Sequence, residues 1–277
     1  MDQGILSTPL RYPGGKSRLV KFLINYIPLF FEEYREPMIG GGSFFLFMLN
    51  MYPNKKYWIN DVNTDLYCFW KSLKENGDRL SGEVQKLKEE YEGRGRKLFN
   101  YLKDTSFNNE FEVGLRFFIM NKISFSGLVD AGGFSDESFR LRFTNNAISK
   151  LRLISSSLKE VKITNLDYQD VLSESGKNIF YYLDPPYFKQ RASKLYGKKG
   201  IYHTNFDHVK FSDIISKISH NWLLSYDDSQ FIRNLYLNYE KSIVSISVSY
   251  GMNNVHKDNS PIGKELLIRN YGYSIKL

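Results

Sequence analysis

The sequence predicts an α/β fold whose core is interrupted once, by a mainly helical insertion. Three observations carry this reading. Helical and strand-like patterns alternate up to residue 74 and again from residue 146. Between them, residues 75–122 are charged and helical in pattern, and Phe125 to Arg142 is rich in Gly, Ser, Phe and Arg. The uninterrupted apolar run Ile179-Phe180-Tyr181-Tyr182-Leu183 reads as a strand buried on both faces, and it runs directly into Asp184-Pro185-Pro186-Tyr187. The core is therefore expected over 1–74 and 146–277, with the insertion at 75–145.

Taken in order, Lys16 to Phe30 places Leu19, Val20, Phe22, Leu23 and Ile27 at helical spacing. Tyr34 to Ile39 reads as a strand entering Gly40-Gly41-Gly42-Ser43, and Phe44 to Met51 as a short buried helix. Tyr57 to Asn60 is a second strand, and Thr64 to Leu73 a second helix. The stretch Phe125–Arg142 reads as a loop or hairpin. A helix near Asn146–Leu158, a strand near Val161–Asn165 and the strand before Asp184 follow. A helix near Phe211–Ser219 and strands at Trp222–Ser225, Ser242–Val248 and Glu265–Arg269 complete the pattern.

Composition narrows the classes. Lysine and arginine outnumber aspartate and glutamate by 38 to 30, which favours a polyanionic partner such as nucleic acid. The single cysteine, Cys68, excludes an internal disulfide and, with four histidines, leaves little for structural zinc. Cys68 lies in the apolar run Leu66-Tyr67-Cys68-Phe69-Trp70 and reads as core. No basic-then-apolar leader and no apolar run near ~18 residues is evident, so a cytoplasmic protein is expected.

The chemistry concentrates at strand ends. Asp184 and the Pro185 carbonyl can each accept one N–H of an exocyclic amine, and Tyr187 can stack on a planar ring. The Gly40–Gly42 turn lets backbone approach a ligand closely, and the helix after it favours a negative group. The dinucleotide fingerprint needs glycine at position 45, which is Phe45, so a nicotinamide cofactor is disfavoured. Asp61, at the end of the second strand, suits ribose hydroxyls or caps the next helix. Asp167 after the third strand suits an adenine amine or is itself a helix cap. Pro13-Gly14-Gly15-Lys16-Ser17 lacks the earlier glycine of a triphosphate loop, since position 10 is Leu10. Lys16 remains available to bind a carboxylate.

These pieces occur in a fixed order. Arg11-Tyr12-Pro13-Gly14-Gly15-Lys16 leads, followed by Glu36-Pro37-Met38-Ile39-Gly40-Gly41-Gly42-Ser43. Asn60-Asp61-Val62-Asn63-Thr64-Asp65-Leu66 and Asp184-Pro185-Pro186-Tyr187 come after. The chain resembles the Dam-like (D12 class, alpha group) DNA adenine-N6 methyltransferases over nearly its whole length. Lesser echoes are Asn121-Lys122-Ile123-Ser124-Phe125-Ser126-Gly127 and Tyr202-His203-Thr204-Asn205-Phe206.

The resemblance implies a Rossmann-like S-adenosylmethionine-dependent methyltransferase sheet with the DNA-recognition domain inserted. By similarity, Tyr12, Lys16, Glu36, Pro37, Gly40, Gly42, Asp61, Asp167 and Asp184 hold S-adenosyl-L-methionine, and no metal is required. Asp184, Pro185, Pro186 and Tyr187 hold the adenine, which must be flipped out of the duplex. Lys189, Arg191, Lys194, Lys198 and Lys199, beside the pocket, are placed to hold phosphates of double-stranded DNA. Arg140 and Arg142 are candidates for bases or phosphates, and Asn121 joins them through its family segment. A cognate restriction endonuclease is a possible partner. Residues 128–135 differ from the stretch found in members that read GATC, so that site is not assumed. Alternatives are methylation of RNA adenine or of a protein amide, or a non-catalytic DNA-binding subunit.

Overall fold

A seven-stranded sheet in the order β3-β2-β1-β4-β5-β7-β6 organises the chain. The structure is a computed structural model and describes residues 6–12, 15–188, 206–249 and 262–272. Strands β1 (Glu33–Glu36), β2 (Lys56–Asn60), β3 (Lys162–Thr164), β4 (Ile179–Leu183) and β5 (Asn221–Asp227) run parallel. Strand β7 (Ile262–Arg269) runs antiparallel between β5 and β6 (Ile243–Ser249). The order reverses between β1 and β4, so their carboxyl ends lead apart and open a crevice. The expected Rossmann-like α/β sheet is present.

Both faces of the sheet are covered, as a parallel sheet requires. Along β4, Phe180 and Tyr182 enter one apolar cluster, while Ile179, Tyr181 and Leu183 enter the other. On β1, Arg35 is 2 % exposed, yet its guanidinium donates to the carbonyls of Val171, Glu174 and Ser175 and pairs with Glu33. The guanidinium also lies 4.7 Å from the Trp58 ring centroid. A charge can stay buried there because each guanidinium nitrogen has an acceptor.

Among the described residues the helices are α1 (Val20–Leu23), α2 (Ser43–Met51), α3 (Thr64–Glu90), α4 (Gly95–Asp104), α5 (Glu110–Ile123), α6 (Asp136–Arg142), α7 (Asn145–Ser157), α8 (Tyr168–Ser173), α9 (His208–Ser216) and α10 (Gln230–Leu235). The expected helix at Lys16–Phe30 is instead a chain of short turns ending at Tyr26. Pro28, which has no N–H to donate, follows closely, although Leu19, Leu23 and Ile27 are buried as the spacing demanded. The second helix runs on from Leu73 to Glu90, with one non-helical residue at Asn76. Position 75, where the insertion was expected to begin, thus lies inside α3. Part of the expected hairpin at Phe125–Arg142 is helical: Ser135 caps α6 by accepting from the Ser138 N–H. The serine followed by two acids was a legible start signal. The helical segment packs closely on the core: a Cβ on Gly114 would meet the Cys68 carbonyl oxygen at 2.5 Å.

Candidate active site

The turn after β1 is held open by glycine and closed by aromatics. Gly40 and Gly42 have φ of +49° and +66°, in the left-handed region. A Cβ on Gly42 would lie 2.7 Å from the Trp70 ring, and one on Gly40 3.0 Å from the Tyr12 ring. Trp70 also donates its indole N–H to the Gly40 carbonyl at 3.3 Å. Gly42 precedes α2 without a side-chain cap, so the first N–H groups of that helix keep their capacity for a ligand.

Two residues at the end of β2 divide the work. Asp61 accepts from Gly40 N–H at 3.0 Å and from Asn63 N–H at 3.0 Å. The cap of α3 is Asn63, whose side chain accepts from Asp65 and Leu66 N–H. Asp61 is therefore not the helix cap; it braces the glycine turn and faces the crevice. Burial pushes its carboxyl up to about 6, against the pull of the two N–H bonds. Asn60, which the sequence reading left without a role, is 1 % exposed and spans three strand ends. Its amide donates to the Pro37 and Leu166 carbonyls and accepts from Thr164 and Leu166. Asp167 is exposed and caps α8, accepting from Gln169 N–H at 2.8 Å, so the cap reading of this residue is realised.

At the end of β4, Asp184 Oδ1 lies 2.8 Å from Lys16 Nζ. Lys16 is 5 % exposed and also sits 4.7 Å from the Tyr187 ring centroid. The carboxylate nearest this lysine thus belongs to the protein's own Asp184. Burial raises the Asp184 carboxyl, and Lys16 pulls it back. Glu36, 2 % exposed, accepts the Tyr34 hydroxyl at 2.5 Å. Burial pushes its carboxyl well up; the Tyr34 bond opposes this and the Asp184 charge adds to it. Tyr187 is 9 % exposed and donates its hydroxyl to Glu265 on β7 at 2.8 Å. Pro185 is buried and Pro186 half-buried.

One cavity of about 420 Å³ joins these groups. It runs from Tyr12, Pro37, the glycine turn and Asp61 past Asp167 to Asp184, Pro185, Pro186 and Tyr187. That volume falls in the range of small-ligand sites. Phe206, Asp207 and Lys210 also line it, and the sequence reading gave them no role beyond a motif echo.

The family model for the D12 class N6 adenine-specific DNA methyltransferases matches residues 12–252. The chain belongs to this family. It is a site-specific DNA adenine methyltransferase, and methyltransferases of this family use S-adenosylmethionine. The type II methyltransferase M.MjaIII of Methanocaldococcus jannaschii is 31% identical over 64% of this chain and 68% of its own length. The type II methyltransferase M1.LlaDCHI of Lactococcus lactis is 24% identical over 95% and 94%. A DNA adenine methylase of Haemophilus influenzae is 24% identical over 88% and 87%.

The cationic residues of the methyltransferase fall into distinct settings. Asn121, whose family segment pointed to DNA, is 1 % exposed, and its amide is engaged with both Arg11 backbone groups and the Gly127 carbonyl. It ties the start of the chain to α5. Arg140 and Arg142 are exposed on α6. The Lys122 ammonium is driven down to about 7 by burial and then by the charges of Arg11, Lys150 and Arg142. Those three cations thus lie near enough to Lys122 to act on it. Lys189, Arg191, Lys194, Lys198 and Lys199 lie outside the described residues, as do Pro13, Gly14 and most of the Tyr202–Phe206 echo. Among the described residues, no group of three or more His, Cys, Asp or Glu side chains could hold a metal. None of their helices is long and apolar enough to cross a membrane.

Proposed function

We propose that the methyltransferase holds S-adenosylmethionine against Tyr12, Glu36, Pro37, Gly40, Gly42, Asp61 and Asp167, with the target adenine against Asp184, Pro185, Pro186 and Tyr187. The observation that carries this is the single cavity linking the glycine turn to Asp184. Its chemistry fits the donor: the φ-positive turn leaves backbone open, and among the described lining residues the carboxyls of Glu36, Asp61, Asp167, Asp184 and Asp207 outnumber the cations Lys16 and Lys210, which suits a cationic ligand. Lys16 acts here through Asp184 rather than as a free carboxylate receptor. When bound, the donor supplies an electrophilic methyl group.

The residues do the rest. An adenine amine is a weak nucleophile because its lone pair is spread into the ring. Asp184 and the Pro185 carbonyl accept its two hydrogens and favour a more tetrahedral nitrogen, aligned for in-line transfer. Lys16 favours the ionised form of Asp184 against the cost of burial. Because burial makes Asp184 more basic than a free carboxylate, its oxygens are suited to take the proton released after transfer. A stacked base cannot reach this cavity, so the target is flipped.

Residues 75–145 carry target recognition in this reading, supported by the exposed arginines of α6 and the nearby cations Arg11 and Lys150. The type II names of two relatives extend the reading to a paired restriction endonuclease.

Single-molecule methylation sequencing of plasmid DNA from a methylation-free host expressing the chain tests the reading. N6-methyladenine confined to one short motif is expected. Unmodified DNA, with methyl transfer by purified protein to RNA or protein instead, would overturn it.

Donor binding should also release protons near pH 6. Burial raises the Asp61 carboxyl from 3.8 to about 6. The empty site therefore retains protons at pH 6 that an unperturbed carboxyl would have lost. A cation favours the ionised form, so affinity should rise from about pH 5 to 7 and level off above the free-state value. Calorimetry at pH 6 in two buffers of different ionisation enthalpy checks this; identical heats would sink the idea.

A further inference from the structure

We infer that Glu265 on β7 is a positioning residue for methyl transfer, acting through the phenol of Tyr187. This rests on the proposed placement of the adenine against Tyr187.

Strand β7 lies antiparallel to β5, and Glu265 stands directly opposite Asp227 in that pairing. Both acids are buried, at 1 % and 6 % exposure. Two like-charged residues facing each other across a ladder destabilise it, so the pair needs a compensating use. Each acid takes a donor from successive residues of one segment. Glu265 Oε2 accepts the Tyr187 hydroxyl at 2.8 Å, and Asp227 Oδ1 accepts the Phe188 N–H at 2.7 Å. The Phe188 ring then stacks on Phe231 with centroids 4.3 Å apart. The acid pair thus pins the exit of Asp184-Pro185-Pro186-Tyr187 to the antiparallel half of the sheet.

The consequence reaches the reacting centre through one ring. Tyr187 is held at its hydroxyl by Glu265, and Lys16 lies over its face at 4.7 Å. The same lysine holds Asp184 at 2.8 Å. A shift of the Tyr187 ring therefore moves both the surface that receives the base and the cation that sets Asp184. Placement errors of this kind lower the rate of an aligned transfer more than they weaken ligand binding.

The test compares Glu265→Gln, Glu265→Asp, Glu265→Ala and Tyr187→Phe with the unaltered chain. It uses single-turnover methyl transfer to the target DNA, with donor dissociation constants from calorimetry. Gln keeps an acceptor at full reach and should transfer within about threefold of the unaltered chain. Asp, one methylene shorter, should lose about tenfold despite keeping its charge, as should Tyr187→Phe, in keeping with loss of one hydrogen bond. Combining Glu265→Asp with Tyr187→Phe should cost no more than either alone. The donor constant should change by less than about twofold. If Glu265→Ala fails to fold, the Gln and Asp variants still decide the matter. Loss of transfer in Gln but not in Asp would assign Glu265 a purely electrostatic role and overturn the inference. So would independent, multiplying losses in the double variant. If the unaltered chain transfers nothing to DNA, the underlying reading fails and this inference fails with it.

Discussion

Asp184→Ala should slow methyl transfer by about 10²–10³-fold while the protein still binds its donor. That is the scale on which a single preorganised polar group contributes to a transition state. The carboxylate is placed to accept an amine hydrogen, and among the described residues the neighbouring carboxyls are engaged elsewhere: Glu36 with Tyr34, and Glu265 with Tyr187. The substitution also removes the partner of Lys16, which is 5 % exposed, so some loss of stability accompanies the loss of rate. Asp184→Asn separates the two effects. The carboxamide oxygen can still face Lys16, but it is too weakly basic to take a proton. Its rate should fall nearly as far as that of the alanine variant, with a smaller change in thermal midpoint. Single-turnover transfer, donor calorimetry and thermal unfolding on both variants provide the check. A rate within threefold of the unaltered chain in either would remove Asp184 from the chemistry.

Asn60→Asp should be the most damaging single change away from the reacting atoms. The amide N–H₂ of Asn60 serves the carbonyls of Pro37 and Leu166 at 2.9 and 3.0 Å, and a carboxylate would point acceptor at acceptor. Two buried carbonyls would lose their donor, at about 1–3 kcal/mol each. These bonds set the glycine-turn segment, the end of β2 and the segment entering α8 in register. Donor affinity should therefore fall more than tenfold along with stability. Asn60→Ala should show the same pattern, since it removes both donors without adding charge. Urea denaturation and calorimetry on the two variants test this, and an unchanged midpoint with an unchanged donor constant would show that the three segments hold their places without Asn60.

Much of this was legible because it is local chemistry. Ile179–Leu183 reads as a strand from its own composition and is one. The glycines at 40 and 42 announce a turn that other residues would strain, and both have positive φ. The helix starts at Ser43, Thr64 and Asn145 agree with their patterns to within a residue. The failures have equally physical causes. The turns after Lys16 keep a helical apolar spacing without a continuous hydrogen-bond ladder, and spacing alone does not distinguish the two. The family segment of Asn121 points to DNA, while burial commits its amide to Arg11 and Gly127, a pairing that no local pattern announces. Glu265 heads the apolar run Leu266-Leu267-Ile268 as a charge, a signal that a buried donor must meet it.

The sequence by itself determined the family, the strand-end motifs and the nature of the chemistry, because these depend on residue type and order along a short stretch of backbone. Only the tertiary structure decided who partners whom. Lys16 meets Asp184 because the sheet order sets β4 beside β1. Tyr187 meets Glu265, 78 positions away, because β7 folds back antiparallel beside β5. A buried polar group must find a partner or stay uncharged, and several acids compete here for few donors. Which acid receives which donor is settled by packing, and the same packing sets how readily each acid in the crevice ionises.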